Sequence, residues 1–258
     1  MDRQPPMLSL HNLELRFSGV RALRGVDFEV AKGELFAVIG PNGAGKTSLF
    51  NCISGVYRPQ VGSIVLDGVD ITGWRPHKVA AAHVARTFQN VEVFPTMTVL
   101  ENLMLGRYNH LHSGVLRGAL FVGPAAREEV ANRAKVEEII ELLEIEHIRH
   151  SLVGALPHGL RKRVELGRAL AMEPTLLLLD EPVAGMNQEE TEDMVRFVLD
   201  VHEELSTTIM LVEHDMGVVM DISDRIAVLD FGELIAVGTP TEIVAHEAVI
   251  ASYLGAAR

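Results

Sequence analysis

The sequence is short of cysteine and of long apolar runs. Its 258 residues contain one cysteine, Cys52, so no disulfide can form within the chain and a reducing compartment is favoured over an oxidising one. No stretch reaches the roughly 18 uncharged apolar residues that a membrane-spanning helix needs. The opening segment alternates polar and apolar positions and lacks the apolar run of a secretory signal. We therefore expect a chain that is soluble, or at most peripheral to a membrane.

Clustered positive charge is also missing. Lysine and arginine number 23 against 35 aspartates and glutamates, which gives a net charge of −12, and the basic residues are scattered along the chain. A protein that holds a nucleic acid backbone normally presents a basic patch to its phosphates. The composition therefore argues against nucleic acid as a partner.

Metal-binding patterns are weak as well. His110 with His112, and His147 with His150, could each bring two imidazoles together. Neither pair has cysteines or carboxylates nearby in a recognisable zinc pattern. We interpret these residues as solvated histidines of loops and helix ends, and a zinc site is the less favoured alternative.

Apolar residues make up 48% of the chain, which is enough for a substantial core. The opening segment alternates like β-strands, and a strand, a glycine-rich loop and a helix follow it. A second strand and helix come late in the chain. We expect Asn187 to cap that late helix. Its apolar face should comprise Met194, Val198 and Leu205, with Val195 and Leu199. This order predicts an α/β protein with a parallel sheet.

The glycine-rich loop is the most specific local signal. GPNGAGKT, beginning at Gly40, fits the pattern G-x-x-x-x-G-K-[ST] and lies between the predicted strand ELFAVI and an apolar helix. Glycines let backbone N–H groups converge on phosphate oxygens, and the helix N-terminus adds its positive end. Lys46 would bridge the terminal phosphates, and the Thr47 hydroxyl would bind Mg²⁺. The alternative is an ordinary glycine turn with a solvated lysine.

A strand that ends in two acids supplies the matching carboxylates. In LLLLDEP, the four leucines are typical of a strand buried on both faces of a parallel sheet. Asp180 and Glu181 follow at its carboxyl end, which is where open α/β sheets bind their ligands. We expect Asp180 to orient Mg²⁺ through water and Glu181 to act as the general base on the attacking water. A core strand with a solvated acidic end is the alternative.

Two further polar residues follow predicted strands. His214, in LVEHD, should lie beside Glu181 and contact the γ-phosphate, because its strand comes next in the topology. Gln89, in ARTFQN, could bind the metal and the nucleophilic water while it tethers the helical insertion. Taken singly, each residue could equally be an ordinary polar surface residue.

With these motifs in this order, the chain resembles the nucleotide-binding subunit of ATP-binding cassette transporters over nearly its whole length. The resemblance implies an α/β fold with a P-loop NTPase core and a mainly parallel sheet, an N-terminal antiparallel β subdomain and an inserted α-helical subdomain. We expect one cassette domain over 1–258. Residues 1–90 and 160–258 would form the core with the β subdomain, and about 91–160 the helical insertion with the signature loop.

The resemblance also assigns residues that spacing alone does not. Phe17 occupies the place of the aromatic residue that stacks on adenine in this family. LPHGL stands where the family usually has Leu-Ser-Gly-Gly-Gln, and Pro157 has neither a hydroxyl nor an N–H to offer a phosphate. This half of a composite site would depend on Gly159, on His158 and on the helix end.

The predicted site therefore divides by role. The expected catalytic residues are Glu181, His214 and Lys46. The expected metal ligands are Thr47, Gln89 and Asp180. The expected contacts to ATP are Phe17, Gly40, Pro41, Asn42, Gly43, Ala44, Gly45, Lys46, Thr47, Ser48, Gln89, Pro157, His158 and Gly159.

Within the family, the signature and the segment VAGMN resemble the branch that imports branched-chain amino acids. That resemblance implies an ATPase that uses ATP and Mg²⁺ at the cytoplasmic face of the membrane. Its implied partners are transmembrane permease subunits, a second cassette subunit, identical or different, and an extracytoplasmic solute-binding protein. The groove near Gln89 and the helical insertion are the expected permease contacts. The alternatives are a urea, amide or other solute, a soluble cassette ATPase, or a nucleotide-dependent clamp that does not act in transport.

Overall fold

The computed structural model describes residues 5–89, 91–110 and 124–255. They divide into two compact units. The first unit comprises the described residues within 1–86, 175–181 and 201–258, and the second unit those within 87–174 and 182–200. The single cassette domain expected over 1–258 stays a prediction.

The strands of the described residues all lie in the first unit. They are β1 (Leu8–Phe17), β2 (Val20–Val30), β3 (Leu35–Ile39), β4 (Val61–Leu66), β5 (Val69–Asp70), β6 (Val84–Arg86), β7 (Leu176–Asp180), β8 (Thr208–Val212), β9 (Arg225–Asp230) and β10 (Glu233–Gly238).

The α-helices of the described residues belong to both units. They are α1 (Lys46–Ile53), α2 (Pro76–Ala81), α3 (Val99–Gly106), α4 (Pro124–Leu142), α5 (His158–Leu170), α6 (Gln188–Leu205), α7 (Met216–Ile222), α8 (Pro240–Val244) and α9 (Glu247–Gly255).

A six-stranded sheet in the order β10-β9-β3-β8-β7-β6 forms the centre of the first unit. The pairs β9–β3, β3–β8, β8–β7 and β7–β6 are parallel, and only β10 runs antiparallel to its neighbour. Every residue of β3, β7 and β8 is buried, as expected for parallel strands that are covered on both faces. The mainly parallel sheet predicted from the sequence is therefore present.

A second, antiparallel sheet follows from the alternating opening segment. Its order is β2-β1-β4-β5, and the inward positions of β1 and β2, such as Leu8, Leu10 and Val26, are fully buried. In β2 the alternate residues Arg24, Asp27 and Glu29 are exposed, which is the usual pattern for a sheet with one face on the core. The side chains from this face join those of β3 and α1 in one apolar core.

The second unit packs helices α3, α4 and α5 together around apolar residues. Val136, Ile140 and Leu143, which the helical spacing singles out, are fully buried. Gly167 of α5 lies against the side chains of Leu103 and Leu143, so the small residue permits a close helix approach.

Helix α6 confirms one expectation and corrects another. The Asn187 side chain accepts a hydrogen bond from the Glu190 N–H, and the Glu190 carboxylate accepts one from the Asn187 N–H, so the predicted cap is present. The predicted apolar face was wrong at Leu205, which is 50% exposed, and Val195 and Leu199 are only half-buried. The buried face continues through Phe197 and Val201, because residues three and seven positions after Met194 lie on the same side of a helix. Leu205 is the last residue of the helix, and its side chain faces solvent.

Candidate active site

The three central strands end at one edge of the sheet. In the β-ladder Val38 pairs with Val212, and Val212 pairs with Asp180. The loops that follow β3, β7 and β8 therefore leave the sheet side by side, at the carboxyl edge where α/β proteins bind ligands. The first unit in this way collects the glycine loop, the acid pair and the histidine that the sequence predicted as parts of one site.

The glycine loop has a backbone that only glycine adopts without strain. Gly40 and Gly45 have φ values of 149° and 105°. A Cβ at Gly40 would collide with the Leu229 carbonyl oxygen, and one at Gly45 would lie 2.6 Å from the Ala22 carbonyl oxygen. Neighbouring strands thus fix the curvature of the loop, and Gly45 begins α1 without any side-chain cap. The first N–H groups of that helix are of the kind that bind phosphate.

Lys46 points back into the curve of this loop. Its Nζ donates hydrogen bonds to the carbonyl oxygens of Gly40, at 2.6 Å, and Pro41, at 3.1 Å, and the residue is 6% exposed. Burial lowers the pKa of Lys46, while the carboxylates of Glu181 and Asp180 act in the opposite direction. Because the loop follows β3, these contacts keep the cation at the same edge of the sheet as the acid pair that follows β7.

Asp180 is held by an arginine that the sequence analysis did not predict. Arg86, at the end of β6, donates from NH2 to Asp180 Oδ2 at 2.8 Å, and both side chains are almost fully buried. The NH1 group of Arg86 also donates to Asn51 Oδ1 and to Ser54 Oγ, both from the C-terminal half of α1 and its end. One guanidinium therefore joins β6, β7 and the helix that follows the glycine loop. The signal in the sequence that could have indicated this role of Arg86 is a charged residue at the end of a short apolar strand.

Glu181 and His214 form the pair that the topology predicted. The His214 Nε2 lies 2.8 Å from Glu181 Oε1, and because a carboxylate only accepts, the imidazole donates. Glu181 has a φ of 51°, and its N–H donates to the Val212 carbonyl at 2.8 Å. Non-glycine residues with such backbones cluster at functional sites.

Phe17 stands at the end of β1 with 42% of its surface exposed. Its ring meets that of Tyr57 edge to face, with centroids 5.0 Å apart. This contact restrains the Phe17 ring, an arrangement suited to an aromatic residue that stacks on a base. Stacking on adenine stays a prediction.

Gln89 belongs to the second unit, in the stretch that follows β6. We name residues 87–89 and 91–93 the glutamine segment. Gln89 is exposed, and its carbonyl oxygen accepts a hydrogen bond from Lys162 Nζ at 3.3 Å.

The signature residues also belong to the second unit. Pro157 is the N-cap of α5 and contributes no side-chain cap hydrogen bond. His158 Nε2 lies 3.1 Å from the Ala184 carbonyl oxygen, so that ring nitrogen is committed to the segment before α6. Gly159 is buried, and the Glu190 carboxylate fills the space beside it.

Several other expectations concern single residues. Cys52 is a buried packing residue, and burial raises the pKa of its thiol to about 12. His112 lies outside the described residues.

Among the residues that are described, no helix combines the length and apolar character needed to cross a membrane.

Comparisons with known proteins bear on the whole chain. The family model described as ABC transporter matches residues 23–184, and the model described as branched-chain amino acid ATP-binding cassette transporter matches residues 233–258. The high-affinity branched-chain amino acid transport ATP-binding protein BraF of Pseudomonas aeruginosa is 41% identical over 255 residues, which cover 98% of this chain and 99% of that protein. LivG of Escherichia coli, which carries the same description, is 40% identical over 255 residues, again 98% and 99% of the two chains.

Solved structures agree with the sequence relatives. A crystal structure of the ADP conformation of an ATP-binding cassette from an ABC transporter superposes with a TM-score of 0.84 at 30% identity, covering 98% of this chain and 100% of that chain. A nucleotide-free cassette gives a TM-score of 0.83 at 30% identity, covering 96% and 99%. The P-loop NTPase fold class expected from the motifs is confirmed. With its motifs, its fold and its relatives in agreement, this chain belongs to the ABC transporter family.

Proposed function

We propose that this chain is the ATP-hydrolysing subunit of a membrane importer for branched-chain amino acids. The observation that carries the proposal is the grouping of a buried lysine in a glycine loop, an anchored aspartate and a glutamate–histidine pair at one sheet edge. The relatives named above, which span the whole chain, are described as branched-chain amino acid transport proteins.

The nucleotide would be held mainly by its phosphates. The N–H groups of the glycine loop and of the start of α1 would be the donors, apart from that of Ala44, which donates to the Pro41 carbonyl oxygen. Lys46 would add the cation for the terminal phosphates. The lysine is already oriented by the Gly40 and Pro41 carbonyls, so little side-chain entropy remains to be lost on binding. Phe17 would cover one face of the adenine.

The oxygen groups at this edge fit a magnesium ion. Thr47 is exposed in the first turn of α1, and Asp180 ends β7 with its carboxylate fixed by Arg86. Hydroxyl and carboxylate oxygens are ligands that Mg²⁺ accepts. When bound, the ion supplies positive charge to the phosphate oxygens.

Glu181 would take a proton from water. Its backbone is fixed by the Val212 carbonyl and its carboxylate by His214, so the base is oriented before a substrate arrives. His214 is 45% exposed at its side chain, which leaves it able to contact a γ-phosphate as well. A general base of this kind contributes about 10²–10⁴-fold to the rate.

The second unit would complete the site on a partner cassette. Helix α5 begins directly after Pro157, so the N–H groups of His158 and Gly159 can face a phosphate held by the other subunit. Serine is replaced here by proline, which removes a hydroxyl donor from this half-site. We expect the γ-phosphate to be held by backbone groups and the helix end instead.

Permease subunits would dock on the second unit at the cytoplasmic face of the membrane. This unit exposes large apolar side chains in and beyond the glutamine segment, namely Phe88, Phe94, Tyr108 and Leu152. Exposed apolar groups of this size are typical of an interaction surface. An extracytoplasmic solute-binding protein would deliver the amino acid to the complete transporter.

The test is reconstitution of the chain with its permease subunits, a partner cassette and the binding protein in vesicles. Steady-state ATP hydrolysis should rise when leucine, isoleucine or valine is supplied and should not rise with urea or an amide. Stimulation by urea would reassign the solute. Tight Mg-ATP binding with no turnover under any condition would support a nucleotide-dependent clamp, an alternative to which the proline at position 157 and the engaged His158 ring give specific support.

A further inference from the structure

Two charged side chains of α5 reach the glutamine segment and bind its backbone. Glu165 Oε1 accepts hydrogen bonds from the N–H groups of Phe88, at 3.1 Å, and Glu92, at 3.2 Å. Lys162 Nζ donates to the carbonyl oxygen of Gln89 at 3.3 Å. These three bonds hold both arms of the segment on which Gln89 sits. All of these residues belong to the second unit.

The two side chains lie on one face of the helix and are removed from water. Glu165 is 2% exposed and Lys162 is 3% exposed, and their spacing of three positions places them side by side. Burying an ionised group costs several kcal/mol unless it is paired and hydrogen-bonded. An apolar pair would have been the cheaper way to fill the space, so stability alone does not account for the charges.

Glu165 remains incompletely satisfied in this position. Its Oε2 has no hydrogen-bond partner among the described residues. Burial raises the pKa of Glu165, and the two N–H bonds and the cations of Lys162 and Arg168 act against that rise. The carboxylate thus binds two backbone donors at an energetic cost, a pattern more typical of functional positioning than of packing.

We propose that Glu165 and Lys162 are positioning residues that clamp the glutamine segment to the signature helix α5. The clamp makes the segment and the helix move as one body within this unit, so that a shift at the segment is passed to the start of α5 at Pro157. The inference rests on the proposed function for its catalytic consequence. Its structural part, the fixing of the segment, can be measured without hydrolysis.

The direct test is amide hydrogen exchange on the full-length chain without nucleotide. Glu165→Leu keeps a similar volume but offers no acceptor, and the amides of Phe88 and Glu92 should then exchange roughly ten- to hundredfold faster. Glu165→Gln keeps an amide oxygen at the same place and should restore most of the protection. Glu141→Gln, at an exposed position on α4 of the same unit, is the matched control.

The second measurement separates positioning from binding. In the reconstituted transporter, Glu165→Leu should lower kcat about tenfold while the KM for ATP stays within about twofold, because the variant leaves the glycine loop intact. Lys162→Met should act in the same direction.

Unchanged amide exchange at Phe88 and Glu92 in Glu165→Leu would overturn the proposal that Glu165 fixes the glutamine segment to α5. Failure of Glu165→Gln to restore protection would overturn it too. If amide exchange responds as expected but the wild-type transporter does not hydrolyse ATP, the positioning role of Glu165 and Lys162 stands and the proposed function fails. If the wild type hydrolyses ATP and the Leu variant matches it in kcat, the coupling role fails and the function stands.

Discussion

Arg86 and Asp180 form an ion pair at 2.8 Å in which both side chains are almost completely buried, 6% and 2% exposed. The pair joins the last residue of one sheet strand to the last residue of the neighbouring one. Two further bonds, to Asn51 and Ser54, fix the guanidinium against α1. The aspartate expected to orient the metal is thus bound by Arg86, which is itself held by Asn51 and Ser54.

Loss of Arg86 should therefore destabilise the first unit. Breaking a buried ion pair by removing one partner costs about 3–5 kcal/mol, so Arg86→Leu should lower the free energy of unfolding by about that amount in urea titrations. Arg24 forms a comparable pair with Glu233 at the surface, and Arg24→Leu should cost less than about 1 kcal/mol. Equal losses from the two variants would contradict a special role of the buried pair.

Glu181→Gln should abolish turnover and preserve binding. The amide can still accept the hydrogen bond from His214 but cannot take a proton, so the rate should fall about 10²–10⁴-fold. ATP-bound dimers should accumulate, which size-exclusion chromatography in Mg-ATP would detect. His214→Ala is the companion variant, since it removes the partner without removing the base. Turnover at the wild-type rate in the Gln variant would exclude Glu181 as the base.

Lys46→Ala should weaken nucleotide binding. The buried ammonium is the expected partner of the terminal phosphates, and charge-assisted hydrogen bonds of this type contribute about 1.5–3 kcal/mol each. We expect the Kd for ATP to rise by about a hundredfold, measured by titration calorimetry. Lys32, exposed in a surface pair with Asp67, supplies the control Lys32→Ala, which should leave the Kd unchanged. Retained tight binding in Lys46→Ala would contradict the phosphate assignment.

The stability difference between the wild type and Glu165→Gln should depend on pH. Burial raises the pKa of Glu165 above its ordinary value of 4.5, so the folded chain binds this proton more tightly than the unfolded chain. Its contribution to stability is therefore present below pH 4.5 and is lost as the pH rises through the raised pKa. Lys162, Arg168 and the N–H groups of Phe88 and Glu92 limit the shift.

Unfolding titrations of both proteins between pH 4 and 8 would measure this effect. The wild type should lose stability relative to Glu165→Gln as the pH rises, because glutamine has no charge to bury. Glu141→Gln is the exposed control. A constant difference between wild type and Glu165→Gln across this range would show that the carboxylate titrates normally in the folded chain.

Local patterns proved reliable where neighbouring residues determine the structure. The Asn187 cap is present as predicted. The capping box of Thr239 and Glu242, with Pro240 at the first helical position, likewise follows a local sequence pattern. The pairing of Glu181 with His214 was also predictable, because consecutive motifs at the ends of adjacent parallel strands must meet at one edge. Leu205 was the exception: it is apolar and was predicted to be buried, but it is exposed because it lies at the end of α6.

Contacts between distant segments were not predictable in this way. Arg86 and Asp180 are 94 positions apart, and Glu165 lies 77 and 73 positions from Phe88 and Glu92. In the sequence, Arg86 is one charge among many and Lys162 belongs to a basic run at the start of a helix. Their roles depend on burial and on which polar groups of distant segments come within hydrogen-bonding distance, and neither quantity is encoded locally.

By itself the sequence determined the glycine loop, the acids after a buried strand and the helix caps, because each follows from the conformational preferences and spacing of neighbouring residues. The order of these motifs indicated the family by resemblance. Only the tertiary structure decided that Arg86 anchors Asp180, that Glu181 adopts a left-handed backbone conformation and that Glu165 holds the glutamine segment. The physical reason is that a buried charge is stable only beside partners brought to it through space, and those partners are chosen by the packing of the whole unit.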